Sequence, residues 1–431
     1  MNASDVRNAA APRIFEPTSG IILDDRIRGI PAGVAGLDSL DVARMCWRPA
    51  GGLMTLPVLT MDEAAYISNR NAMMSYVRQA GVDIAPHAKT PMSPDLARDL
   101  VNEGAWGTTV ADLRQATVMA RAGLRQLILA NETGGRAGAR RLKAFVAAYP
   151  DIELHVFVDS VAGVDALAEA WRTAPALPPL AVLLDIGSGR SGTRTIQQAE
   201  ALADAVQACG GRLRIAGIGA YEGNTIQPDA TITDRSLDEL ITRIAGMFTR
   251  LRLRLGSEPG LILTAGGSLL FERIVDRLAP LVRADGRARL VLRSGAVFFY
   301  DHGICQRFLH GGGRSFLPAL RLWAEVLSRP EAGLAICGLG MRDASFDQGF
   351  PVVLQLHRGG QAIPGMVPMP AVSKLNDQHC FLDVPLNSDI AVGDIVEFGV
   401  THACTTIDRH DVIYGLDKEG RVRHVFPTFF G

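Results

Sequence analysis

Short apolar runs alternate with stretches of helical periodicity eight times between residue 82 and about residue 292. Such alternation is typical of consecutive βα units, whose strands form a parallel sheet. Eight units within about 210 residues match the size of a (β/α)8 barrel. A doubly wound open sheet, the alternative, rarely contains so many regular units. The strand candidates lie at 82–88, 106–109, 126–130, 154–158, 181–186, 214–219, 261–265 and 290–292. The sequence therefore predicts an α/β fold built on a TIM barrel.

The pattern changes on both sides of the predicted barrel. After residue 292, short apolar stretches are broken by Gly, Pro, Asn and Asp without a long amphipathic helix, which is typical of an all-β domain. The first 55 residues are rich in Gly, Pro and Ala and have weak periodicity. We therefore predict a partly disordered arm at 1–55 whose last strand joins the β domain, a barrel at 56–292 and a β domain at 293–431.

Composition limits the class of protein and of partner. The net charge is −1, so no electrostatic attraction to nucleic acid or to an anionic membrane is expected, and a small-molecule partner is favoured. No apolar run is long enough for a signal peptide, or reaches the roughly 18 residues of a membrane span. The six cysteines are scattered without a CxxC pair, which favours reduced thiols. A cytoplasmic enzyme is the expectation.

Lys89 and His87 stand at the end of the first predicted barrel strand. Alternate side chains of a strand share one face, so Asp83, Ala85, His87 and Lys89 are expected on the same side. Active sites of such barrels lie where the strands end. A desolvated lysine is also the natural former of a Schiff base. A lysine just past the strand end and pointing into solvent is the alternative interpretation.

Gly266, Gly267 and Ser268 follow the seventh predicted strand, where barrels commonly bind phosphate. Two glycines allow backbone amides to approach an anion, and Ser268 is placed to cap the next helix, whose N-terminus attracts phosphate. An ordinary left-handed turn followed by a cap would have the same sequence.

Two further loops carry polar side chains at the same rim. Arg190 lies among three glycines after strand five, so a guanidinium at the barrel mouth and an arginine paired with a neighbouring carboxylate are both open. Tyr221 follows strand six and is succeeded by Glu222. It either presents its hydroxyl to the mouth or packs beneath a loop.

His402 and Cys404 form a His-x-Cys pair in the predicted β domain. On an extended strand both side chains point the same way, so imidazole and thiolate together would hold one metal ion. Two protein ligands leave positions open to water or substrate, as a catalytic site requires. A single pair of this kind has low specificity by itself.

Together these segments resemble the fold-type III pyridoxal-phosphate enzymes, the alanine racemase-like barrels. The similarity runs from about residue 55 to residue 415 and is greatest to the branch of D-serine dehydratase and low-specificity D-threonine aldolase. The segment 86–90, Pro-His-Ala-Lys-Thr, resembles the cofactor motif of that branch, and the segment at 56–58 resembles its usual opening. The resemblance implies an alanine racemase C-terminal-like β domain and a homodimer.

Roles for individual residues follow from the resemblance. Lys89 and His87 would be the catalytic residues, with Lys89 carrying pyridoxal 5'-phosphate. The cofactor would also be bound by Arg190, Tyr221, Gly266, Gly267 and Ser268. His402 and Cys404 resemble the zinc ligands of the dehydratases, whereas the aldolases carry His-x-Asp. The ion is therefore expected to be divalent, with zinc favoured over manganese.

Departures from the family pattern concern the substrate. The family usually has a second His after the Lys-Thr pair, where Pro91 and Met92 stand here. It also commonly has a Tyr two residues past the Gly after strand eight, where Val297 follows Gly295. The expected activity is a D-serine dehydratase-like lyase, converting D-serine or D-3-hydroxyaspartate to a 2-oxo acid and ammonia. A D-threonine or 3-hydroxy-D-aspartate aldolase, an amino-acid racemase and a non-catalytic carrier of the cofactor are the alternatives.

Overall fold

The computed structural model describes residues 15, 20–257, 260–309, 315–364 and 368–430. Most of the first 19 residues of the predicted arm therefore lie outside the described residues. So do the segments 310–314 and 365–367 and residue 431 of the predicted β domain.

The described part of the arm packs on the C-terminal sheet. It contains a two-strand hairpin of β1 (Ile22–Leu23) and β2 (Leu37–Asp38) and two short 3-10 helices, at Ser39–Met45 and Pro49–Gly51. Its apolar side chains share one buried cluster with residues of the C-terminal sheet, namely Leu23, Ile30, Val42, Trp47 and Met54 with Trp323, Val412, Tyr414 and Val425.

The strand that follows the arm, β3 (Val58–Asp62), also belongs to the C-terminal sheet. It pairs antiparallel with Leu320–Glu331 and parallel with Val412–Leu416. The chain therefore enters the β sheet before the barrel, although the barrel was predicted to begin at residue 56. The boundaries of the three predicted domains stay a prediction.

Eight parallel strands form the barrel in chain order, each paired with the next. Hydrogen bonds between the first and second strands, from Trp106 N to Ile84 O and from Ala88 N to Thr109 O (both 2.8 Å), close the ring. The predicted α/β barrel fold is thereby confirmed. The strands are β4 (Asp83–Ile84), β5 (Thr108–Val110), β6 (Gln126–Leu129), β7 (Glu153–Val158), β8 (Leu180–Ile186), β9 (Leu213–Ala220), β10 (Leu261–Thr264) and β11 (Ala288–Leu292).

Helices surround these strands, and several begin at side-chain caps that the sequence supplies. Asp112, Ser160 and Thr195 each accept a backbone N–H in the first turn of the helix that follows. The helices are α1 (Glu63–Ala80), α2 (Pro94–Asn102), α3 (Leu113–Arg121), α4 (Gly135–Ala148), α5 (Val161–Arg172), α6 (Ile196–Ala208), α7 (Ala230–Leu255) and α8 (Phe271–Asp285).

The barrel interior is filled, so it is not a channel. A separate cluster of inward-facing side chains occupies its centre, consisting of Ala85, Ile128, Phe157, Ala181, Leu183, Ala216, Ile262 and Val291. Because apolar packing fills the centre, space for a small molecule remains at the carboxyl ends of the strands, as in other barrels.

The C-terminal part is a mixed, mostly antiparallel sheet, as expected for a second β domain. In the described residues its strand order is β15-β14-β18-β12-β13-β17-β16, with β3 bridging β12 and β19. Its elements are α9 (Ile304–Phe308), β12 (Leu320–Glu331), β13 (Leu334–Cys337), β14 (Val352–Arg358), β15 (Gln361–Ala362), β16 (Ala371–Leu375), β17 (Cys380–Asp383), β18 (Ile395–Gly399), α10 (Ala403–Ile407), β19 (Val412–Leu416) and β20 (Val422–Pro427).

Among the described residues, none of the helices has both the length and the apolar character that spanning a bilayer requires.

Candidate active site

A cavity of about 390 Å³ opens at the carboxyl ends of the barrel strands, and the C-terminal part of the chain covers its mouth. Seven of the eight barrel strands are followed by a residue that lines it. Its walls include His87, Lys89, Thr90, Asn131, Arg190, Ser191, Tyr221, Glu222, Gly267, Ser268, Arg293, Gly295, Ala296, Ile304, Cys305, His402 and Cys404. The structure thus brings every predicted site residue except Gly266 to one cavity wall, and Gly266 lies directly behind Gly267.

Lys89 reaches the cavity from a segment that continues β4 beyond its two regular residues. This segment bonds alternately to the two neighbouring strands, with Ala85 N donating to Leu292 O (2.8 Å) and Thr109 N donating to Pro86 O (3.0 Å). A desolvated Lys89 and a Lys89 pointing into solvent were both left open, and the structure supports the second because the side chain is exposed in the open cavity. Within the described residues it forms no ion pair, so its amine is available to a ligand.

His87 lies beneath Lys89 and is electrically neutral at pH 7. Burial, together with the positive charges of Lys89 and Arg293, holds the pKa of His87 well below its ordinary value. The backbone N–H of Lys89 donates to His87 Nδ1 (3.3 Å), so the ring proton resides on Nε2. A neutral imidazole in this position orients the lysine segment and does not repel a protonated Lys89.

The Gly266–Gly267 turn binds an anion, and that anion is a side chain of the protein. Both backbone amides donate to the carboxylate of Glu222, with Gly266 N 3.1 Å from Oε2. Glu222 is only 1% exposed, and this pair of amides satisfies a carboxylate that would be costly to bury alone. The turn therefore binds anionic oxygen as expected, but the oxygen atoms that it binds are those of Glu222.

Ser268 does not cap the next helix, so this detail of the prediction is wrong. The helix α8 begins only at Phe271 after the intervening Leu269 and Leu270, and its N-cap residue makes no side-chain hydrogen bond. Ser268 Oγ instead accepts from Val297 N (3.1 Å) in the segment after β11. The hydroxyl therefore links the loops after the seventh and eighth barrel strands, at the cavity wall.

Arg190 stands on a tight loop whose shape depends on a second arginine. The guanidinium of Arg194 donates to the carbonyl oxygens of Ser191 and Gly192 (both 2.7 Å) and to that of Arg190, so it fills the loop from within. Arg190 itself lies over the ring of Tyr221, with Cζ 4.9 Å from the ring centroid. Burial and the neighbouring charge of Glu222 raise the pKa of Tyr221, so its phenol is protonated at neutral pH.

Arg293 is the buried cation of the cavity. It is 5% exposed and lies over the ring of Phe157, and its guanidinium donates to Thr264 Oγ1 (2.9 Å) and to Ala220 O. Arg293 was not predicted as a site residue, because only the glycine of the segment after strand eight was considered and not its charged residue. An arginine directly after a buried barrel strand was the available signal.

The carboxyl groups of Asp185 and Glu132 lie near the Arg190 loop, and each affects the pKa of the other. Burial and then the neighbouring Glu132 carboxylate raise the pKa of Asp185 to about 7, and burial likewise raises that of Glu132. Ser191 Oγ donates to Asp185 Oδ2 (3.1 Å), and Gly192 N donates to Asp159 Oδ2 (3.2 Å). These acidic side chains therefore fasten the loop that carries Arg190.

Replacing Asp185 by Asn is expected to stabilise the protein increasingly as the pH rises. A carboxyl whose pKa is raised on folding contributes stability below its ordinary pKa of 3.8 and loses it as the pH rises through about 7. The Asp185→Asn variant avoids this loss, so its free energy of unfolding in urea, relative to that of the unmodified protein, should increase by about 1 to 3 kcal/mol between pH 4 and pH 8. Asp377→Asn, at an exposed carboxylate, is the control. A pH-independent difference for Asp185→Asn would contradict this assignment.

His402 and Cys404 converge at the cavity mouth, but not on a strand as predicted. The strand β18 ends at Gly399, His402 is the N-cap residue of α10, and Cys404 lies in its first turn. The two side chains interact directly. Burial opposes a charge on either group, yet contacts of His402 with Cys404 and Asp347 raise its pKa to about 9, and those of Cys404 with His402 lower the thiol pKa. Cys404 Sγ also lies 3.2 Å from Thr90 Oγ1, beside Lys89.

Over the described ranges, no set of three or more His, Cys, Asp and Glu side chains converges as a complete metal-binding group. An ion at His402 and Cys404 would therefore need water or substrate to complete its coordination.

Family models match both halves of the chain. One described as "Alanine racemase, N-terminal domain" matches residues 61–265, and one described as "Putative serine dehydratase domain" matches residues 319–416. The first covers most of the barrel, and the second covers most of the C-terminal sheet together with His402 and Cys404.

Two characterised relatives are similar over most of the chain. D-threonine aldolase of Arthrobacter sp is 25% identical over 358 residues, which cover 82% of this chain and 87% of the aldolase. D-threo-3-hydroxyaspartate dehydratase of Delftia sp. (strain HT23) is 24% identical over 395 residues, which cover 85% of this chain and 97% of the dehydratase.

Solved structures share the fold at low identity. D-threonine aldolase from Filomicrobium marinum has a TM-score of 0.73 at 23% identity and covers 87% of this chain and 95% of its own. A cysteine-to-alanine variant of a D-threo-3-hydroxyaspartate dehydratase, described as the metal-free form, has a TM-score of 0.71 at 21% identity, with 89% of this chain and all of that one covered. The chain therefore resembles the alanine racemase-like proteins, with a region similar to an alanine racemase N-terminal domain followed by a region similar to a serine dehydratase domain.

Proposed function

We propose that this protein is a pyridoxal-phosphate- and metal-dependent lyase that eliminates water from D-3-hydroxy amino acids. The observation that carries the proposal is the convergence of an unpaired lysine, Lys89, with a His–Cys pair, His402 and Cys404, in one cavity. Attachment of the cofactor needs an amine, and binding of the metal ion needs soft ligands. Relatives named D-threonine aldolase and D-threo-3-hydroxyaspartate dehydratase support the substrate class.

The side chains of the cavity fit the cofactor. Lys89 offers an exposed amine for its aldehyde carbon, and Arg190 and Tyr221 lie on the wall where an aromatic ring with polar substituents would be held. Arg293 supplies a buried positive charge for an anionic group. When bound, pyridoxal phosphate supplies an electron sink for the α-carbon of an amino acid joined to it.

The phosphate would be held between the loops after β10 and β11. Because Glu222 accepts from the amides of Gly266 and Gly267, the phosphate would instead meet the Ser268 hydroxyl and the backbone of Gly295 and Ala296, which line the same wall. Phosphate sites of barrels usually lie between these same two loops. Gly267 still matters, since the absence of its side chain leaves the wall open.

Replacing Gly267 by Val is expected to weaken cofactor binding strongly while the fold survives. A Cβ at this position would lie 3.1 Å from Tyr221 Cε2 and 3.3 Å from Glu222 Oε1, so ring and carboxylate must both shift into the wall. Titration of the cofactor-free variant with pyridoxal phosphate, followed by absorbance, should give a Kd at least about tenfold higher. This corresponds to about 1.4 kcal/mol. Circular dichroism controls for folding, and an unchanged Kd would place the phosphate elsewhere.

His402 and Cys404 fit a soft divalent ion. Imidazole and thiolate are preferred ligands of zinc. The contact between the two groups raises the pKa of His402 and lowers that of Cys404, and a metal ion bound to both would displace a proton from the pair. A divalent ion at this position supplies a Lewis acid that stabilises negative charge on a departing β-oxygen. Two protein ligands leave open positions for that oxygen.

The residues of the chain perform the remaining steps. With the cofactor bound, the amine of Lys89 would lie at the α-carbon of the substrate and would accept the α-proton. His87, held neutral, adds no second positive charge beside the Lys89 amine. Ile304 and Cys305, from the short helix α9, form an apolar wall that limits water in the cavity. Loss of hydroxide and hydrolysis of the product give a 2-oxo acid and ammonia.

Aldol cleavage is the second candidate because D-threonine aldolases are similar to this chain in sequence and in fold. It would use the same lysine and metal but would remove the proton of the β-hydroxyl and break the Cα–Cβ bond. Thiolate at residue 404 favours the dehydratase, since the harder carboxylate suits ions such as manganese.

A panel of D- and L-3-hydroxy amino acids tests the proposal. The holoenzyme should consume D-serine, D-threonine and D-3-hydroxyaspartate and leave the L-isomers intact, and a chelator should abolish turnover. Consumption of L-isomers at equal rates, or turnover insensitive to the chelator, would contradict it. Alanine, which carries no β-hydroxyl, is the control substrate for racemisation.

A further inference from the structure

Asp347 contacts the metal-ligand candidate His402 from the side away from the cavity. The carboxylate lies in the loop before β14, and His402 Nδ1 is 2.8 Å from Asp347 Oδ2. Since an ionised carboxylate only accepts hydrogen bonds, the ring proton of His402 resides on Nδ1. Asp347 was not among the residues that the sequence singled out.

Both oxygens of Asp347 are fixed. While Oδ2 accepts from His402, Oδ1 accepts from Thr405 Oγ1 (3.1 Å) and from Ser345 Oγ. Thr405 Oγ1 also lies 2.7 Å from Ser345 Oγ, and Ser345 N donates to Thr406 Oγ1 (3.2 Å). This network joins the loop before β14 to helix α10, so the carboxylate keeps its orientation even though its side chain is 47% exposed.

The contact decides which ring nitrogen of His402 can bind a metal ion. With Nδ1 protonated and held by Asp347, Nε2 is the ring nitrogen that would lose its proton to bind a metal ion. Cys404 is held at the same time from the barrel side, through Thr90 Oγ1 at 3.2 Å. The imidazole and the thiolate are therefore fixed by different parts of the chain, the first by the C-terminal loop and the second by the Lys89 segment.

We propose that Asp347 is a positioning residue that fixes the ring orientation and the tautomer of His402 for metal binding. The inference rests on the proposed function, because it requires an ion at His402 and Cys404. A carboxylate on the far nitrogen raises the basicity of a ligating histidine, and loss of such a partner typically lowers metal affinity by about 10- to 100-fold. Asp347 contacts Nδ1 and not the ion.

The test is a direct titration of metal-depleted protein, reloaded with pyridoxal phosphate, with Co²⁺. Cobalt bound to a thiolate gives a near-ultraviolet charge-transfer band that reports Cys404 without any turnover. We expect Asp347→Ala and Asp347→Asn to raise the Kd for Co²⁺ by about 10- to 100-fold. Their band at saturation should match that of the unmodified protein, because the thiolate remains a ligand.

Controls separate the possible failures. Asp377→Asn, in an exposed ion pair with Arg342, should leave the affinity unchanged, and Asp347→Asn preserves the size of the side chain in case the alanine variant unfolds. A Kd within twofold of the unmodified protein in both Asp347 variants would overturn this inference alone. A changed band at saturation would also overturn it, because Asp347 would then be a ligand. If the unmodified protein gives no thiolate band, the proposed metal site itself is wrong and the inference falls with it.

Discussion

Replacing Lys89 by Ala is expected to abolish the covalent attachment of the cofactor and essentially all turnover. Lys89 is the cavity-lining lysine of the described structure, and within that part of the chain it makes no ion pair that would explain it otherwise. Its amine would serve twice, as the point of attachment and as the base at the α-carbon. Removal of one catalytic group commonly costs 10²–10⁴-fold, and loss of both roles should exceed this.

Borohydride reduction followed by mass spectrometry measures the attachment. The unmodified protein should be yellow and should gain the mass of the reduced cofactor on the peptide that contains Lys89. Lys143→Ala, at a half-buried lysine that donates to Thr173 and does not line the cavity, is the matched control and should behave like the unmodified protein. An equal yield of reduced adduct from Lys89→Ala would mean that another lysine carries the cofactor.

Replacing Cys404 by Ala should remove the metal ion and the activity together while the cofactor stays bound. One remaining protein ligand cannot hold a divalent ion well, and the Lewis acid contributes several kcal/mol to the departure of hydroxide. Since each 1.36 kcal/mol corresponds to tenfold in rate, activity should fall by at least about 100-fold. Metal analysis, the visible spectrum of the cofactor and product formation are measured on the same sample.

Cys46→Ala is the control for loss of a thiol, because Cys46 is exposed on the N-terminal segment and does not line the cavity. A second variant, Cys404→Asp, provides a carboxylate in place of the thiolate. We expect it to regain metal and part of the activity, with manganese now competing more effectively with zinc. Full activity of Cys404→Ala in a metal-free sample would exclude metal-assisted elimination.

The barrel could be predicted from sequence because its strands are buried on both faces. Such strands appear as short continuous apolar runs, and segments such as 154–158 and 181–186 lie within the observed β7 and β8. The first strand was predicted too long. Pro86 lacks an N–H, so the ladder after Ile84 is irregular although the chain stays extended.

The site could be predicted where a residue is unusual in its local context. Lys89, Arg190 and Tyr221 each follow a barrel strand, and such positions meet at one mouth regardless of their separation in sequence. Whether they bind the cofactor as expected stays a prediction. The pairing of His402 and Cys404 was predicted from the alternation of side chains along a strand. In the structure the first turn of helix α10 brings the two side chains together instead.

Other features depend on contacts between distant segments, which no local pattern encodes. The carboxylate of Glu222, after β9, accepts hydrogen bonds from the amides of Gly266 and Gly267, after β10. Asp347 contacts His402 from a loop that lies 55 residues earlier in the chain. A glycine pair alone indicates that some anion is bound, but not which one. Only the folded chain shows that the anion is its own side chain.

The central claim is that the lysine and the metal together perform β-elimination. The most direct test is incubation of the zinc-loaded holoenzyme with D-threonine, with all four possible products quantified in the same sample. Elimination predicts ammonia and 2-oxobutanoate in equal amounts, with little glycine. Glycine and acetaldehyde formed in equal amounts and much faster than ammonia would contradict the claim and make this protein an aldolase.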